Sequence, residues 1–317
     1  MAENTHLSIY EISLNVLVAW QAHSLSTIGS NGSNRLLPRR QLLTDKTETD
    51  ACGGNIAKHH HTALLAQYFA ADGSPLCPAC RVGDGRRVAA LLDQADYQAL
   101  SFERIVRECA LCDTHGFLVT AKNAESETGT AARQKISKST LIDFSYALAL
   151  PDRHAETGQL HTRAGTSKEE GQMIMKIPAR SGEYALCVRY TCAGIGADTE
   201  RWLLFVKDQA LREKRHRAVL RALRDSLVSP DGALVATMLP HLTGLKGALM
   251  VRTNVGRAPL YSALESDFVI RLGGMTDETC TIYPFETIDA FYRLMNHFIA
   301  TSVPELHPYW RTEASGQ

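Results

Sequence analysis

Apolar and polar residues alternate through HLSIYEISLNVLVAWQA, residues 6–22, a period of two that predicts a strand opening a sheet domain. It runs into SLSTIGSNGSNRLLPRRQLLTD, a loop of Gly, Ser and Asn that ends in a basic segment. In GGNIAKHHHTALLAQYFA, residues 53–70, Ile56, His60, Leu64 and Tyr68 recur at steps of four, which predicts a helix with Gly54 and Asn55 at its start. Residues 71–116 read as an insertion holding helices over 87–93 and 98–109, and KISKSTLIDFSYALAL, 135–150, reads as strand. Residues 151–172 are polar and Gly/Thr-rich without a period, which predicts a long loop or projecting arm. Next come a strand, a turn at Ala179–Gly182, and a second strand whose Tyr184, Leu186, Val188 and Tyr190 share one face. Asp208–Leu227 predicts a helix with a basic outer face, and Leu234–Leu239 a short strand. LTGLKGALMVRTNVGRAPL is read as a second glycine-punctuated basic loop, and ETIDAFYRLMNHFIATSVP as a last amphipathic helix with a Pro-limited tail. Strands alternating with crossing helices, interrupted by insertions, define an α+β sheet domain with one sheet face free to bind.

Composition adds little to that picture and charge adds more. The 317 residues are 44% hydrophobic and 21% charged, enough to bury a real core near the upper size of one domain. No apolar run is long enough to span a bilayer, and MAENTHLSIYEISL lacks the basic-then-apolar order of an export signal, so a cytoplasmic protein without membrane contact is expected. The formal net charge is zero, which excludes a uniform cationic field but not a local one. Residues 201–224 carry eight Lys and Arg against Asp208 and Glu213, and 241–262 carry Lys246, Arg252 and Arg257 with no acid. These are stretches that a phosphate backbone could use.

Two of the cysteine spacings carry chemistry. Cys77-Pro-Ala-Cys80 and Cys109-Ala-Leu-Cys112 place four soft thiolates where they can close a tetrahedron around Zn2+, with residues 81–108 as a packed excursion between them. Four protein ligands leave no open position, so the metal would be structural. A redox dithiol is the alternative. Cys52, Cys187, Cys192 and Cys280 read as small buried or half-buried side chains. The run His59-His60-His61 lacks the i,i+4 spacing of a ligand pair on one helix face, and H-E-x-x-H is absent. Lys58 and its neighbours therefore read as a polar helix start that touches phosphate or bases. Asp113 and His115, directly after the fourth cysteine, either order the turn leaving the metal site or serve a metal-dependent nuclease.

The loop around Ser33, Asn34 and Arg35, followed by Arg39 and Arg40, combines close-approach glycines with arginine donors and matches neither a P-loop nor a dinucleotide fingerprint. Arg252-Thr253-Asn254-Val255-Gly256-Arg257 repeats that chemistry, and Met173 and Met175 could wedge between bases. With SLNVLVAW, SNGSNRLLPRR, GGNIAKHHHTALL, the LCPAC and CALCDTHGFL pair, GQMIMKIPARSGEYALCVRYTCAGIG and GALMVRTNVGRAPLYSALESDFVI in this order over residues 8–275, the chain resembles the Cas7 family, DevR-like branch.

That resemblance implies the non-catalytic backbone subunit of a type I CRISPR Cascade complex. Copies would oligomerise as a helical filament along the CRISPR guide RNA beside Cas5 and the large and small subunits, and target DNA would pair with the guide. It implies a modified RRM-like (ferredoxin-like) palm over 1–70, 117–150 and 184–300, zinc-binding fingers over 71–116, a thumb over 151–183 and a tail over 301–317. The RNA contacts it implies are Ser33, Asn34, Arg35 and Arg39; Asn55, Lys58 and His59; Arg163, Lys168 and Met173; and Lys246, Arg252, Asn254 and Arg257. Type III relatives cleave RNA through a loop aspartate, and Asp45 and Asp50 lie in a comparable neighbourhood. A zinc-stabilised DNA-binding regulator, or a nuclease using Asp113 and His115, are the competing readings.

Overall fold

The computed structural model describes residues 6–23, 30–31, 34–35, 40–92, 94, 100–122, 133–163, 173–231, 239–307 and 310. The chain starts with β1 (Leu7–Ile9) and β2 (Glu11–His23), then the short β3 (Ser30–Asn31), β4 (Asn34–Arg35), β5 (Arg40–Leu42) and β6 (Glu48–Cys52). Helix α1 (Gly54–Ala71) leads into α2 (Pro78–Arg81), a 3-10 turn over Arg87–Leu91, α3 (Phe102–Glu108) and α4 (Ala110–His115). The strands β7 (Phe117–Lys122), β8 (Arg133–Lys138) and β9 (Ile142–Phe144) precede the two longest, β10 (Ala147–Arg163) and β11 (Met173–Tyr190). Then come β12 (Ala197–Asp198), β13 (Leu203–Leu204), α5 (Gln209–Val228), β14 (His241–Arg252), α6 (Phe268–Gly273), β15 (Cys280–Phe285), α7 (Ile288–Thr301) and β16 (Ser302–Pro304).

Among the described residues one sheet dominates, in the order β15-β14-β2-β11-β10-β6-β5 with β9 also paired to β11. Every pairing in it is antiparallel. β2 lies between β14 and β11, and Ile12, Leu14, Val16, Val18 and Trp20 point from it into the main core with Leu65 and Phe69 of α1, Leu223 of α5 and Phe291 of α7. Each such side chain contributes about 1.5–3 kcal/mol by leaving water.

The other face of β2 is buried as well. Leu17 packs with Ala248, Met250, Phe268 and Leu272. The alternate polar positions dock the segment after β14: Glu11 accepts from the Ala258 N–H at 2.9 Å and pairs with Arg257 at 2.7 Å, Asn15 accepts from the Tyr261 N–H at 3.0 Å, and Ser13 donates to the Pro259 carbonyl. The expected free sheet face is therefore covered along its central strand.

Several expectations hold and others are corrected. The first strand, the helix from residue 54, the helix after Asp208 and the C-terminal helix all form. In α1 the buried residues are His60, His61, Leu65 and Phe69, one position on from much of the expected stripe, because α5 covers the side that carries His61. No turn interrupts 179–182: β11 runs through, and the register shift beside it puts the extra residue on β2, between Trp20 and His23, where Ala22 has a φ of +55°. The segment read as a basic loop over 242–260 is, up to Arg252, the interior strand β14, whose glycines serve close strand approach. The outer face of α5 is less basic than expected, because Arg212 and Arg215 are fully buried. The short strand expected at 234–239 lies, up to residue 238, outside the described residues. The residues after α7 form β16, which pairs in parallel with β1.

β10 and β11 continue together beyond the sheet, paired to Arg163↔Met173 after β2 has ended opposite Arg180. The arm expected over 151–172 is thus a two-stranded hairpin as far as Arg163. β4 lies beside β11.

Candidate functional site

Two C-x-x-C turns face each other in the described insertion. Cys77 and Cys109 occupy the N-cap positions of α2 and α4, so Cys80 and Cys112 fall one turn later on the same side. The Ala110 N–H donates to the Pro75 carbonyl at 2.8 Å and ties the two turns together, while the Cys112 N–H donates to the Cys109 sulfur at 3.4 Å. All four Sγ atoms lie within 4.8 Å of one another, Cys80 and Cys112 at 3.7 Å, and all four residues are buried. A tetrahedron of thiolates around zinc at 2.3 Å has edges of about 3.8 Å. The cluster can chelate a metal ion, and its donor chemistry suits a soft, four-coordinate one. Cys52, Cys192 and Cys280 are buried and Cys187 is half-buried, as expected of cysteines without a metal role.

Directly after this cluster, Asp113 is fully buried and pairs with Lys138 at 2.6 Å and Arg215 at 2.7 Å, and also accepts from the Gly196 N–H. Arg215 goes on to donate to the Val106 and Arg107 carbonyls, closing the end of α3. His115 points elsewhere: its Nε2 lies 2.8 Å from Nδ1 of His61, and its Nδ1 lies 3.3 Å from the Thr62 hydroxyl. Burial, reinforced by the neighbouring histidine and by Arg87 and Lys58, holds the His115 ring well below its ordinary pKa; His61 is pushed down to about 4. Asp113 and His115 are thus interior joints between the cysteine turns, α1 and α5, and they form no exposed nuclease pair. Asp50 is likewise buried in an ion pair with Arg180 at 2.6 Å, and Asp45 accepts from the Thr47 N–H in an exposed turn.

The expected nucleic-acid residues fall into three groups. Ser33, Arg39 and Lys168 lie outside the described residues; Asn34 and Arg35 form β4; Arg163 and Met173 are cross-strand partners at the described end of the hairpin. Asn55, Lys58 and His59 lie on the first turns of α1, with Asn55 and His59 exposed and Lys58 half-buried. Burial, followed by the nearby Arg87 charge, lowers the Lys58 pKa. Gly54 allows this helix start to sit against β9, since a Cβ there would meet the Phe144 carbonyl oxygen at 2.3 Å.

The third group is largely committed to intramolecular contacts. Arg252 pairs with Asp277 at 2.8 Å and donates to the Arg257 carbonyl and to Thr279. Arg257 pairs with Glu11 but keeps a side chain 70% exposed. Asn254 accepts from its neighbour's N–H, and Lys246 is exposed on β14 opposite Leu17. The stretch 241–262 itself contains no acid; Glu11 and Asp277 come from other parts of the chain.

Concavities run between Arg257 and the start of α1. One, of about 760 Å³, runs from Arg257 and Trp202 past Arg189 to Thr140. Thr140 also lines a second that contains Lys58 and Arg87, and those two residues line a third, which includes Asn55, His59 and Cys80 of the four-cysteine cluster. Arg87, Arg189 and Trp202 escaped the sequence reading. Trp202 carries a φ of +60° and meets the His307 ring at a tilt, with centroids 4.3 Å apart, and only the assembled fold brings it to the groove.

A family model described as "CRISPR-associated negative auto-regulator DevR/Csa2" matches residues 14–269. No curated protein matches the chain. Among solved structures, one titled "CRISPR RNA-guided surveillance complex, pre-nicking" aligns at a TM-score of 0.50 and 10% identity, over 92% of this chain and 99% of the other. A second, "CRISPR RNA-guided surveillance complex", aligns at 0.48 and 10% over 92% and 98%. Csc2 of Thermofilum pendens aligns at 0.39 and 11% over 92% and 85%.

Proposed function

The chain belongs to the DevR/Csa2 family of CRISPR-associated proteins, and on that premise we propose that it is a non-catalytic, RNA-binding backbone subunit of a Cascade-like surveillance complex. The observation that carries the reading is the run of concavities from Arg257 through Thr140 to Lys58 and Arg87: its first stretch has an aromatic wall and arginines paired with acids, Arg189 with Asp143 and Arg257 with Glu11, and its far end offers the cations Lys58 and Arg87 to a phosphate chain. Asn55 and His59 line the far end of that path, and the hairpin over β10 and β11, with Arg163 and Met173 at its described end, is the candidate thumb.

In this reading residues 1–70, 117–150 and 184–300 form an RRM-like palm, 71–116 the fingers and 151–183 the thumb. Zn2+ held by Cys77, Cys80, Cys109 and Cys112 would supply a structural cross-link and no reaction. Lys246, Arg252 and Arg257 would add charge at the palm, and Ser33, Asn34, Arg35, Arg39 and Lys168 would complete the contacts. The guide RNA, further copies of the chain, Cas5-type and large and small subunits, and target DNA paired to the guide are the partners. The site of action is the cytoplasm. Base pairing, not side chains, would read the target sequence.

Native mass measurement on mixtures with single-stranded RNA of increasing length tests this. A ladder in which protein copies rise with RNA length is the expected result. Protein that stays monomeric on every RNA would refute the backbone reading, and preference for duplex DNA would move it to a zinc-stabilised DNA-binding regulator.

A further inference from the structure

Arg87 and Lys58 are two cations that face the same space. They line the same two concavities, one of about 460 Å³ and one of about 230 Å³. Among the described residues Lys58 has no ion pair, and Asp143 reaches it only at longer range. Arg87 donates to a backbone carbonyl, that of Leu111, at 3.2 Å. Asp84 also lines the smaller concavity, but its carboxylate is taken by Arg86, which donates from its backbone N–H and its guanidinium. Like charges brought together and partly withdrawn from water repel each other unless an anion joins them.

The metal turns hold this arrangement in place. Leu111 stands between the ligands Cys109 and Cys112, and Cys80 lines the smaller concavity. The backbone at Arg87 adopts a φ of +56°, a left-handed conformation that is costly for a residue with a Cβ and persists where its surroundings enforce it. What enforces it here is the Arg87 N–H donating to the Asp84 carbonyl at 2.9 Å and the Asp84 N–H donating to the Ala79 carbonyl, inside the first C-x-x-C turn.

We propose that Lys58 of α1 and Arg87 of the metal-bound insertion form one phosphodiester-binding clamp for single-stranded RNA, assembled only when the four-cysteine cluster holds its metal. The clamp rests on the RNA-binding reading above and adds a named subsite and a dependence on metal. With metal bound, the Leu111 carbonyl keeps the Arg87 guanidinium facing Lys58. Without metal the second turn loosens and the arginine loses its tether, leaving a lone lysine.

The test is binding of a single-stranded RNA oligonucleotide to the metal-loaded protein across a salt series, for wild type, Lys58→Ala, Arg87→Gln and Arg81→Ala. Arg81 is exposed on the same insertion, outside these concavities, and serves as the control. Each phosphate contact on a single strand contributes about 0.7 to the slope of log K against log salt. The expected result is a slope shallower by about 0.7 for Lys58→Ala and for Arg87→Gln, with Arg81→Ala unchanged and all four proteins retaining metal and the same thermal transition. Chelated wild type should bind like loaded Arg87→Gln, and chelating Arg87→Gln should weaken it no further. Wild-type slopes in both clamp variants overturn the clamp while leaving RNA binding intact. Chelated protein that binds like the loaded form overturns the metal dependence. A wild type that binds no RNA overturns the functional reading and the clamp together.

Discussion

Asp113 shows how much a single buried carboxylate can hold. It joins Lys138 at the end of β8, Arg215 of α5 and the Gly196 backbone, so it fastens the cysteine turns to the rest of the core. Burial pulls the Lys138 pKa down even beside this partner, a sign that the lysine depends on it. Asp113→Asn would leave two buried cations without their counter-charge, at a cost of about 3–5 kcal/mol. The expected outcome is a large fall in the urea midpoint; a change of only a few tenths of a kcal/mol would contradict the joint. Buried neutral histidines make a second, pH-dependent contribution. Burial pushes His23 and His216 down to about 3, against an ordinary value near 6.5. Because the folded values are lowered, the stability they confer is complete above about pH 6.5 and declines as pH falls toward the folded values, where the native rings also take up protons. His216 bridges the Tyr190 hydroxyl and Ser302, so His216→Gln should flatten part of the decline measured by denaturation between about pH 6.5 and pH 4. An unchanged pH profile in that variant would argue against it.

Among the elements, β14 is the one whose sequence misleads most. Its glycines look like loop punctuation, yet a Cβ on Gly247 would meet the Asn15 carbonyl oxygen at 2.2 Å and the Val16 Cα at 2.9 Å. Glycine is there because two backbones approach, not because the chain turns. Gly247→Ala should lower stability by about 1–3 kcal/mol through forced strand separation, read as a drop in thermal midpoint. A midpoint equal to wild type would mean that β14 and β2 can part at no cost. β2 itself was read correctly as a strand, but the roles of Glu11, Ser13 and Asn15 were not legible. Polar residues alternating with apolar ones normally mark a wet face, and here they bind the Ala258–Tyr261 backbone. The helix at residue 54 was legible from its spacing, whereas its buried side was set by α5.

At the scale of the whole molecule, the metal turns, α1 and α5 form one connected body. His61 reaches the Val219 carbonyl and His115, and Arg215 reaches Asp113 and the end of α3. Loading the cluster with Zn2+ should therefore protect all four thiols from a labelling reagent, and chelating it should expose them while the sheet core persists. Thiols that stay protected after chelation, by quantitative labelling, would show that the insertion is held without metal. The zero net charge also acquires a meaning at this scale. Arginines counted as a basic surface are divided between buried structural roles, such as Arg212 and Arg215, and exposed groove positions such as Arg257.

The sequence by itself determined the four-cysteine cluster, the main strands and helices, the projecting arm and the family, because spacing, periodicity and motif order are properties of the chain alone. Only the tertiary structure decided which charges are free. Arg252 and Arg257 meet Asp277 and Glu11 from other parts of the chain, and Asp113 meets Lys138 and Arg215, by contacts far apart in sequence. The juxtaposition of Lys58 with Arg87 arises the same way, across the metal turns. Electrostatic partners are chosen by distance in space, and a charge pattern read along the chain records the groups available without their pairing.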